Sequence, residues 1–366
     1  MQLSIRRQYL LSLLEKAWSA SVGGLLATTK GFYFAKSDDY LRVVRLDKAI
    51  GAVASTNVVS WVDTKEPHKF LIDADKFLKL IRSLTCEDVS LIAEDSQKLL
   101  IEAGEYRASW NLFDMTDFPI LPSYEENQKI PIPVRDFVIA IDRVRAFTSP
   151  EALSVAYKQI YFEDKCCWGS DGYNYQKIQT NISLPGLISI PLIGLDVVKF
   201  LKLSGASGFN LSWDDSFLYF SVSSGSDLFI CIRSQSEPPS SFIDFFSKMS
   251  LDSHKVSHFT FDVNRLKDVV ERIAITGSAT QKKVMFLIKP SMLSVRGVDE
   301  DGNTSQEDLI ITLTGDKTER TIGIHYEMFL KALSSVVTPS ATLFLEKDHA
   351  KLVSVDSTAI LSLLKK

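Results

Sequence analysis

Apolar residues recur along this chain with two different periods, and together they predict a few helices among many strands. Six segments carry apolar residues three and four positions apart, which is typical of an amphipathic helix. These predicted helices cover residues 6–18, 73–84, 134–147, 194–204, 263–274 and 325–337. Alternating or continuous apolar runs predict strands at 1–4, 89–93, 98–103, 130–133, 159–163, 209–213, 218–222, 228–233, 259–262, 284–288 and 309–314. Strands outnumber helices, so the pattern predicts an α+β fold with helices packed on large antiparallel sheets.

The predicted helices repeat at a fixed long spacing. The pentapeptide Lys-Phe-Leu-Lys-Leu occupies residues 76–80 and 199–203, and a degenerate copy follows at 328–332. Ile5, Val134 and Val263 each follow a strand-like run and begin a helical pattern, and they are evenly spaced along the chain. A long fixed period indicates a duplicated structural unit. The sequence therefore predicts three domains of two helices each, at residues 1–123, 124–250 and 251–366.

The repeated helices separate apolar side chains from basic ones. At 100° per residue, Phe77, Ile81 and Leu84 fall on one side of the second helix. Lys79 and Arg82 fall on the opposite side, and the fifth helix divides its residues in the same way. One such helix is most simply a solvated surface. Several of them at a fixed period favour one long cationic surface that faces a polyanion with regularly spaced phosphates.

The distribution of charge supports this interpretation more than the net charge does. The formal net charge of the chain is −4, which by itself argues against nucleic-acid binding. The six predicted helices nevertheless hold fifteen Lys and Arg residues against nine Asp and Glu, or ten with Asp262 at the cap of the fifth helix. The rest of the chain is therefore strongly acidic. Most of the helical acids lie in first turns, where the helix dipole favours them. The predicted cationic surface consists of Arg6, Arg7, Lys76, Lys79, Arg82, Arg135, Lys199, Lys202, Arg265, Lys267, Arg272 and Lys331.

Several function classes find no support in the sequence. The five histidines are scattered, and no glycine-rich phosphate loop, paired-carboxylate motif or nucleophile elbow occurs. Residues 170–172 and 299–303 are better explained as turns between strands than as a catalytic fragment or a calcium loop. Four cysteines indicate a reducing compartment, with Cys166 and Cys167 expected as unpaired buried thiols. We therefore expect a cytoplasmic protein without a membrane span, catalytic residues, a cofactor or a metal site.

A set of short motifs occurs in the order and at the spacing of one known family. The chain opens Met1-Gln2-Leu3-Ser4-Ile5, and residues 117–119 read Asp-Phe-Pro. Residues 170–175 read Ser-Asp-Gly-Tyr-Asn-Tyr, residues 188–191 read Ile-Ser-Ile-Pro, and a proline pair follows at 238–239. Over essentially its whole length, the chain thus resembles the bacterial sliding clamp, the beta subunit of DNA polymerase III. The Ser-Asp-Gly turn is a moderately specific motif and the other motifs are individually weak. Their order and spacing together make the resemblance strong.

The resemblance implies the DNA clamp fold, a dimeric ring assembly and a function in DNA replication. Three tandem clamp-like domains, each with two helices packed on antiparallel sheets, would join a second copy head to tail in a homodimeric ring. Twelve helices would line a hole for duplex DNA, and the ring would tether a replicative polymerase to confer processivity. The predicted cationic surface would then contact phosphates without reading sequence. The implied partners are double-stranded DNA, a replicative polymerase, a clamp loader and a second copy, with no membrane.

The family also has a groove that captures short apolar peptides from polymerases and the clamp loader. The resemblance places its walls here at Tyr157, Ser170, Gly172, Tyr173, Asn174, Tyr175, Pro239, Ile243, Ile360, Ser362, Leu363 and Leu364. This chain departs from the family at Asn174, which replaces an arginine, and at Tyr175, which replaces a leucine. It also ends Ser-Leu-Leu-Lys-Lys where the family usually ends Met-Pro-Met-Arg-Leu. The alternative is that residues 360–364 only complete a strand.

Two further hypotheses come from other function classes. The chain could be a clamp-like scaffold that recruits partners without encircling DNA. It could also be an enzyme whose site has no recognisable motif, although no cluster of titratable residues supports this. A ring that remains on circular DNA and leaves linear DNA would distinguish a working clamp from either alternative.

Overall fold

The computed structural model forms two compact units. It describes residues 1–21, 23, 27–63, 68–93, 95–122, 129–222, 226–234, 236–238, 256–277, 280 and 282–364. Unit 1 consists of Met1–Phe137 and Ile193–Ser234, and unit 2 consists of Val138–Leu192 and Gln235–Lys366. Each unit thus combines two stretches that are far apart in the sequence.

Six α-helices are present in the described ranges, and each coincides with a predicted helix. They are α1 (Arg7–Trp18), α2 (Ala74–Ser83), α3 (Val134–Val144), α4 (Val197–Ser204), α5 (Val263–Ala274) and α6 (Tyr326–Ser335). The predicted limits differ only slightly from these. The largest differences arise at Arg145–Phe147 and Leu192–Asp196, where 3₁₀ turns extend α3 and precede α4. The helical periodicity was therefore a sufficient signal for these elements.

Strands make up most of the remaining described chain. They are β1 (Gln2–Arg6), β2 (Gly31–Ser37), β3 (Tyr40–Leu46), β4 (Ile50–Thr56), β5 (Ser60–Asp63), β6 (Lys69–Asp73), β7 (Asp88–Ala93), β8 (Lys98–Ala103), β9 (Tyr106–Asn111), β10 (Ile130–Pro133), β11 (Gln159–Glu163), β12 (Cys166–Ser170), β13 (Tyr175–Gln179), β14 (Ile188–Pro191), β15 (Gly208–Trp213), β16 (Phe217–Val222), β17 (Asp227–Ile232), β18 (Ser257–Asp262), β19 (Lys283–Lys289), β20 (Met292–Val298), β21 (Thr304–Ile310), β22 (Arg320–His325), β23 (Ser340–Leu345), β24 (His349–Val353) and β25 (Ser357–Leu364). The pairings between these strands are antiparallel, which confirms the α+β fold class.

Long sheets join distant segments within each unit. Unit 1 contains a five-stranded sheet of order β5-β1-β7-β8-β9 and an eight-stranded sheet of order β10-β15-β16-β17-β4-β3-β2-β6. In the second sheet Val53 of β4 lies opposite Leu228 of β17. Unit 2 contains a twelve-stranded sheet in which Tyr175 of β13 lies opposite Ile360 of β25. The compact units therefore divide the chain differently from the predicted boundaries at 123 and 250, and those boundaries stay predictions.

Alternating residues in the strands explain where the helices pack. In β2, Phe32 and Phe34 belong to the core beneath α1 and α2, whereas Tyr33 between them faces away from it. The repeated phenylalanine of α2, Phe77, packs edge-on against Phe34, with ring centroids 5.7 Å apart. In unit 2, Phe329 of α6 packs edge-on against Phe286 of β19 in the same manner. The repeated pentapeptide thus supplies one core aromatic residue to each of these helices.

Candidate nucleic-acid and peptide interfaces

The solvent-facing side of α2 carries the cations that its periodicity predicts. Asp73 caps the helix by accepting a hydrogen bond from the backbone N–H of Lys76 at 2.9 Å. Phe77 and Ile81 are fully buried on the opposite face. Lys79 is 71% exposed, and its Nζ donates to Asp75 Oδ2 at 2.7 Å. Such an exposed ion pair stabilises the helix by only about 0.3 to 0.5 kcal/mol. Lys79 therefore remains available to an external anion.

Helix α1 contacts both α2 and α4, so three predicted cationic helices are neighbours in unit 1. Arg82 of α2 pairs with Glu15 of α1 at 3.0 Å, and Arg7 donates to the backbone carbonyl of Ile81 at 3.4 Å. On α4, Phe200 is buried. The two lysines of the repeated pentapeptide, Lys199 and Lys202, are exposed.

Two predicted cations of unit 1 lie at element ends. Arg6 is the last residue of β1 and precedes α1, so the predicted helix start at residue 6 is wrong by one position. Its backbone is extended there, and Arg6 Nη2 lies 3.7 Å from Glu87 Oε1. Arg135 is exposed in the first turn of α3. Both remain on the surface, as expected of groups that meet an external anion.

The cations of unit 2 differ in how strongly they are engaged. Arg265 and Lys331 are exposed, and Lys267 is half-buried. Arg272 of α5 makes a two-pronged contact with Glu307 of β21, with Nη2–Oε1 at 2.8 Å and Nε–Oε2 at 3.1 Å. Such a bidentate pair neutralises the guanidinium and fixes its direction. Arg272 is therefore the least available member of the predicted set in unit 2.

Two helical cations counted in the charge surplus are internal. Lys16 Nζ of α1 lies 2.8 Å from Asp227 Oδ2 of β17, and both side chains are largely buried. Arg143 Nη1 of α3 lies 2.8 Å from Asp356 Oδ2, again largely buried. The separation of the two aspartates along the chain equals the spacing of the repeat. These cations hold distant segments of each unit together and do not belong to the cationic surface.

The turn between β12 and β13 has the geometry that its sequence predicts. Asp171 Oδ1 accepts hydrogen bonds from the backbone N–H groups of Tyr173 and Asn174, at 2.8 and 2.7 Å. Gly172 has a φ of +95°, and a Cβ there would approach the Tyr157 ring to 3.3 Å. The backbone conformation therefore favours glycine, and the close approach of the Tyr157 ring adds to this preference. This confirms the interpretation of residues 170–172 as a turn.

The C-terminal strand is bonded directly to this turn. Asn174 Oδ1 accepts a hydrogen bond from the backbone N–H of Ser362 at 3.2 Å, and Ser362 Oγ donates to the carbonyl of Tyr173 at 2.7 Å. The family has an arginine at the position of Asn174. In this chain the asparagine side chain instead links the turn to β25 by a hydrogen bond. Tyr173 itself is 74% exposed.

Most described members of the predicted groove come together in unit 2. Tyr157, Ser170, Gly172, Tyr173, Asn174, Tyr175, Ile360 and Ser362 are connected through the turn and the β13–β25 pairing. Leu363 packs against the core beneath α5 and α6. Leu364 lies opposite Gly323 of β22. Pro239 and Ile243 lie outside the described residues.

Two buried aromatic residues that pack against members of the predicted groove were not among the predicted site residues. Tyr161 and Trp168 stack with ring centroids 4.1 Å apart and form a small cluster with Tyr175 and Ile360. Burial raises the pKa of the Tyr161 phenol, whose hydroxyl donates to the carbonyl of Ala156 at 3.0 Å. Their alternation with core residues in β11 and β12 was visible in the sequence. The direction in which they face was not.

Exposed apolar side chains lie on the same part of unit 2. Tyr173 is at the turn, and Leu153 and Val155, both largely exposed, immediately precede Tyr157 in the chain. Tyr157 in turn lies against Gly172. Apolar side chains that gather at one place on a surface mark an interaction site more often than single exposed ones do.

The described residues offer neither a metal centre nor a bilayer-crossing helix. They contain no group of three or more His, Cys, Asp or Glu side chains that could hold a metal ion. None of the helices in the described ranges is long and apolar enough to cross a membrane.

Comparison with known proteins identifies this architecture. Residues 1–122 match the sequence family described as DNA polymerase III beta subunit, N-terminal domain. The first 122 residues belong to this family, and the whole chain has the clamp fold. The DNA polymerase III beta subunit is a non-catalytic processivity factor, which confirms the prediction that the chain is not an enzyme. Among proteins with curated descriptions, none matches the chain in sequence.

Solved bacterial clamps share the fold over the full length. The DNA polymerase III subunit beta of Pseudomonas aeruginosa is 16% identical with a TM-score of 0.85, and each chain is covered to 100%. The C. crescentus beta sliding clamp is 16% identical with a TM-score of 0.87, covering 100% of this chain and 99% of that one. The Thermotoga maritima beta subunit is 13% identical with a TM-score of 0.85, at 100% and 99% coverage. At such identities the clamp fold is retained while most side chains have changed.

Proposed function

We propose that this chain is a DNA sliding clamp, a homodimeric ring that encircles duplex DNA and tethers a replicative polymerase. The observation that carries the proposal is the recurrence of exposed cations on the repeated helices of a full-length clamp fold. Lys79, Lys202 and Lys331 occupy corresponding positions of α2, α4 and α6, each beside a buried phenylalanine. A surface of this kind suits contact with phosphates at regular spacing. Its setting would be the cytoplasm, at the replisome.

Lysine is well suited to a contact that must slide. Its ammonium is a compact, hydrated charge on a flexible stem, so it attracts phosphates without fixing one geometry. Contacts to the phosphate backbone carry no sequence information. Retention would come from closure of the ring, and the lysines would centre the duplex within it.

The groove in unit 2 would receive partner proteins. Its floor is apolar and aromatic, and Tyr173 stands exposed at its edge. One solved clamp, that of C. crescentus, holds a polyethylene glycol in a region described as tethering the beta motif. We infer that the groove of this chain takes short apolar peptides from its polymerase and clamp loader. Burial of a few apolar side chains would supply most of the affinity, about 2 kcal/mol or more for each hot spot.

Topological retention is the experiment that tests the ring. The protein is loaded by a clamp loader onto nicked circular DNA and separated from free protein by gel filtration in high salt. We expect it to stay with the circle and to be lost when a restriction enzyme linearises the DNA, because high salt removes simple electrostatic binding. Equal retention on both substrates, or loss from both, would contradict encirclement and favour the alternative of a clamp-like recruitment scaffold.

Charge reversal on the repeated lysines tests the cationic surface. The variant Lys79→Glu with Lys202→Glu should bind linear duplex DNA more weakly, with a shallower dependence of log affinity on log salt. If both lysines of both subunits contact phosphates, the slope should fall by about 3 to 4. Fluorescence anisotropy over a salt series measures both quantities.

A matched variant separates position from net charge. Lys48→Glu with Lys317→Glu makes the same change of charge on exposed loops away from the helices. We expect this variant to keep the salt slope of the original protein. Both variants should remain dimers in gel filtration, and equal slopes for the two would show that the helices do not face DNA.

A further inference from the structure

A lysine is buried on the sheet face that carries the groove. Lys351 is the central residue of β24 and is only 6% exposed. It lies opposite Ile360 of β25 on one side and opposite Phe344 of β23 on the other. Ile360 in turn lies opposite Tyr175 of β13. A row of directly paired residues therefore leads from the groove to Lys351.

Strand alternation decides which way this lysine faces. Its chain neighbours Ala350 and Leu352 belong to the core beneath α5 and α6. Successive side chains of a strand point to opposite faces, so Lys351 faces away from that core. Ile360 belongs to the floor cluster with Tyr175, which is on the same side. Lys351 thus adjoins the floor of the groove, between an isoleucine and a phenylalanine.

The amine of Lys351 has no partner among the residues that the structure describes. None of them accepts a hydrogen bond from it or forms an ion pair with it. Loss of hydration lowers its pKa, and Glu346 only partly offsets this because it lies beyond ion-pair distance. Buried charged groups are almost always paired, because desolvation of an unpaired one is costly. An amine that has no internal partner is available to an acceptor from outside the chain.

The matching strands of unit 1 show a different arrangement of a polar side chain. There β16 and β17 take the places of β24 and β25, and Tyr219 lies opposite Ile230. The Tyr219 hydroxyl donates to Asp214 Oδ2 at 2.6 Å, so its polar end is satisfied internally. The repeated fold can therefore carry a polar side chain on these strands with its polar end satisfied internally. Lys351 is a property of the groove-bearing unit.

We propose that Lys351 is a specificity residue of the peptide groove, and that its ammonium receives a carboxylate of the bound peptide. This inference rests on the proposed peptide-binding function. The ligand class is a short apolar peptide with a negative charge near its anchors, either an Asp or Glu side chain or the free C-terminus. Lys351 lies between Ile360 and Phe344 and is mostly buried, and partial exclusion of water strengthens a charge pair formed there. A peptide with a neutral isostere would leave the amine unpaired and bind less tightly.

Three fluorescently labelled probes test the pairing. They share leucine and phenylalanine anchors: one has a single Asp and an amidated end, one has Asn in its place, and the third has Asn and a free carboxylate end. We expect at least one carboxylate probe to bind the unmodified protein about tenfold tighter than the uncharged probe. Comparison of the Asp probe with the free-ended probe identifies the source of the carboxylate.

Substitution at Lys351 then assigns the preference. Lys351→Met keeps the aliphatic stem and removes the charge, so it should lose the tenfold preference and bind the uncharged probe within about twofold of the original. Its thermal unfolding should occur at the same temperature or higher, because an unpaired desolvated charge has been removed. Lys289→Met, on β19, is the matched control and should keep the preference. Ile360→Ala should weaken the binding of all three probes.

Each outcome bears on a different part of the proposal. Equal binding of all probes by the unmodified protein, or a preference that Lys351→Met retains, overturns the role of Lys351 and leaves the groove intact. Failure of every probe to bind overturns the groove as well. Retention on circular DNA is measured independently and is unaffected by either result.

Discussion

Lys16→Met is expected to lower the free energy of unfolding of unit 1 by about 3 to 5 kcal/mol. The substitution leaves Asp227, which is only 4% exposed, as a buried carboxylate without its counter-ion. Asp227 Oδ1 still accepts the backbone N–H of Ser55 at 2.9 Å, but one hydrogen bond does not replace the charge pair. Urea denaturation monitored by circular dichroism measures the loss. Hydrogen exchange should show it in α1 and β17, which the pair joins, and in β4, where Ser55 donates to Asp227.

A double variant isolates the contribution of charge. In Lys16→Met with Asp227→Asn, the asparagine oxygen still accepts from Ser55, and no charge remains buried. We expect this variant to recover most of the lost stability, since replacing both partners of a buried pair is often neutral. If the double variant is as unstable as Lys16→Met alone, the cost comes from lost packing of the lysine stem and the buried-charge explanation is wrong.

Phe77→Ala and Phe329→Ala are each expected to cost about 3 to 5 kcal/mol of stability. Both rings are fully buried, and each packs edge-on against a phenylalanine of the sheet beneath it. Truncation would remove that contact and leave a cavity that the strands cannot fill. Hydrogen exchange with mass spectrometry should place the loss in unit 1 for the first variant and in unit 2 for the second.

Lys79→Ala is the matched control within the same pentapeptide. Its side chain is mostly exposed, and its pair with Asp75 is a surface pair, so we expect a change within about 0.5 kcal/mol. Comparable destabilisation by Phe77→Ala and Lys79→Ala would contradict the separation of a structural residue from a surface residue within the repeated motif.

The helices were predictable because their signal is local. In α2 the buried Phe77 and Ile81 are one helical turn apart, and the capping Asp73 lies just before the helix. Such spacing requires no knowledge of distant residues. The turn at 170–175 was equally visible, since Asp171 and Gly172 provide its geometry themselves. The clamp fold was implied by the family resemblance, which rested on the order and spacing of short motifs that include this turn.

Features that depend on pairing between distant segments could not be predicted from the sequence. The ion pairs of Lys16 and Arg143 were not predictable, because their partners, Asp227 and Asp356, lie in distant parts of the sequence. The direction of Lys351 was likewise hidden, because it depends on how β24 pairs with its neighbours. Sequence patterns indicate which residues alternate, but register decides which face each one takes.

One predicted strand was misplaced for a related reason. The apolar run at 309–314 predicted a strand there, whereas the structure has β21 at Thr304–Ile310. This strand is at the edge of its sheet and is mostly polar, and Ile310 is almost fully exposed. An edge strand with solvated residues has a weak apolar signal, so the run following it was the stronger but incorrect indication.

The pairing of β4 with β17 has a consequence for synthesis of the protein. Val53 cannot pair with Leu228 until β17 has been synthesised. This happens much later, because nearly half of the chain separates the two residues. At ~5–20 residues per second, β4 would spend roughly 10 to 35 seconds as an uncovered edge. Ile50–Thr56 is rich in buried apolar residues, so this nascent edge is open to mispairing during that interval. We expect the chain to need a chaperone while it is being translated, and a fragment ending near residue 123 to aggregate.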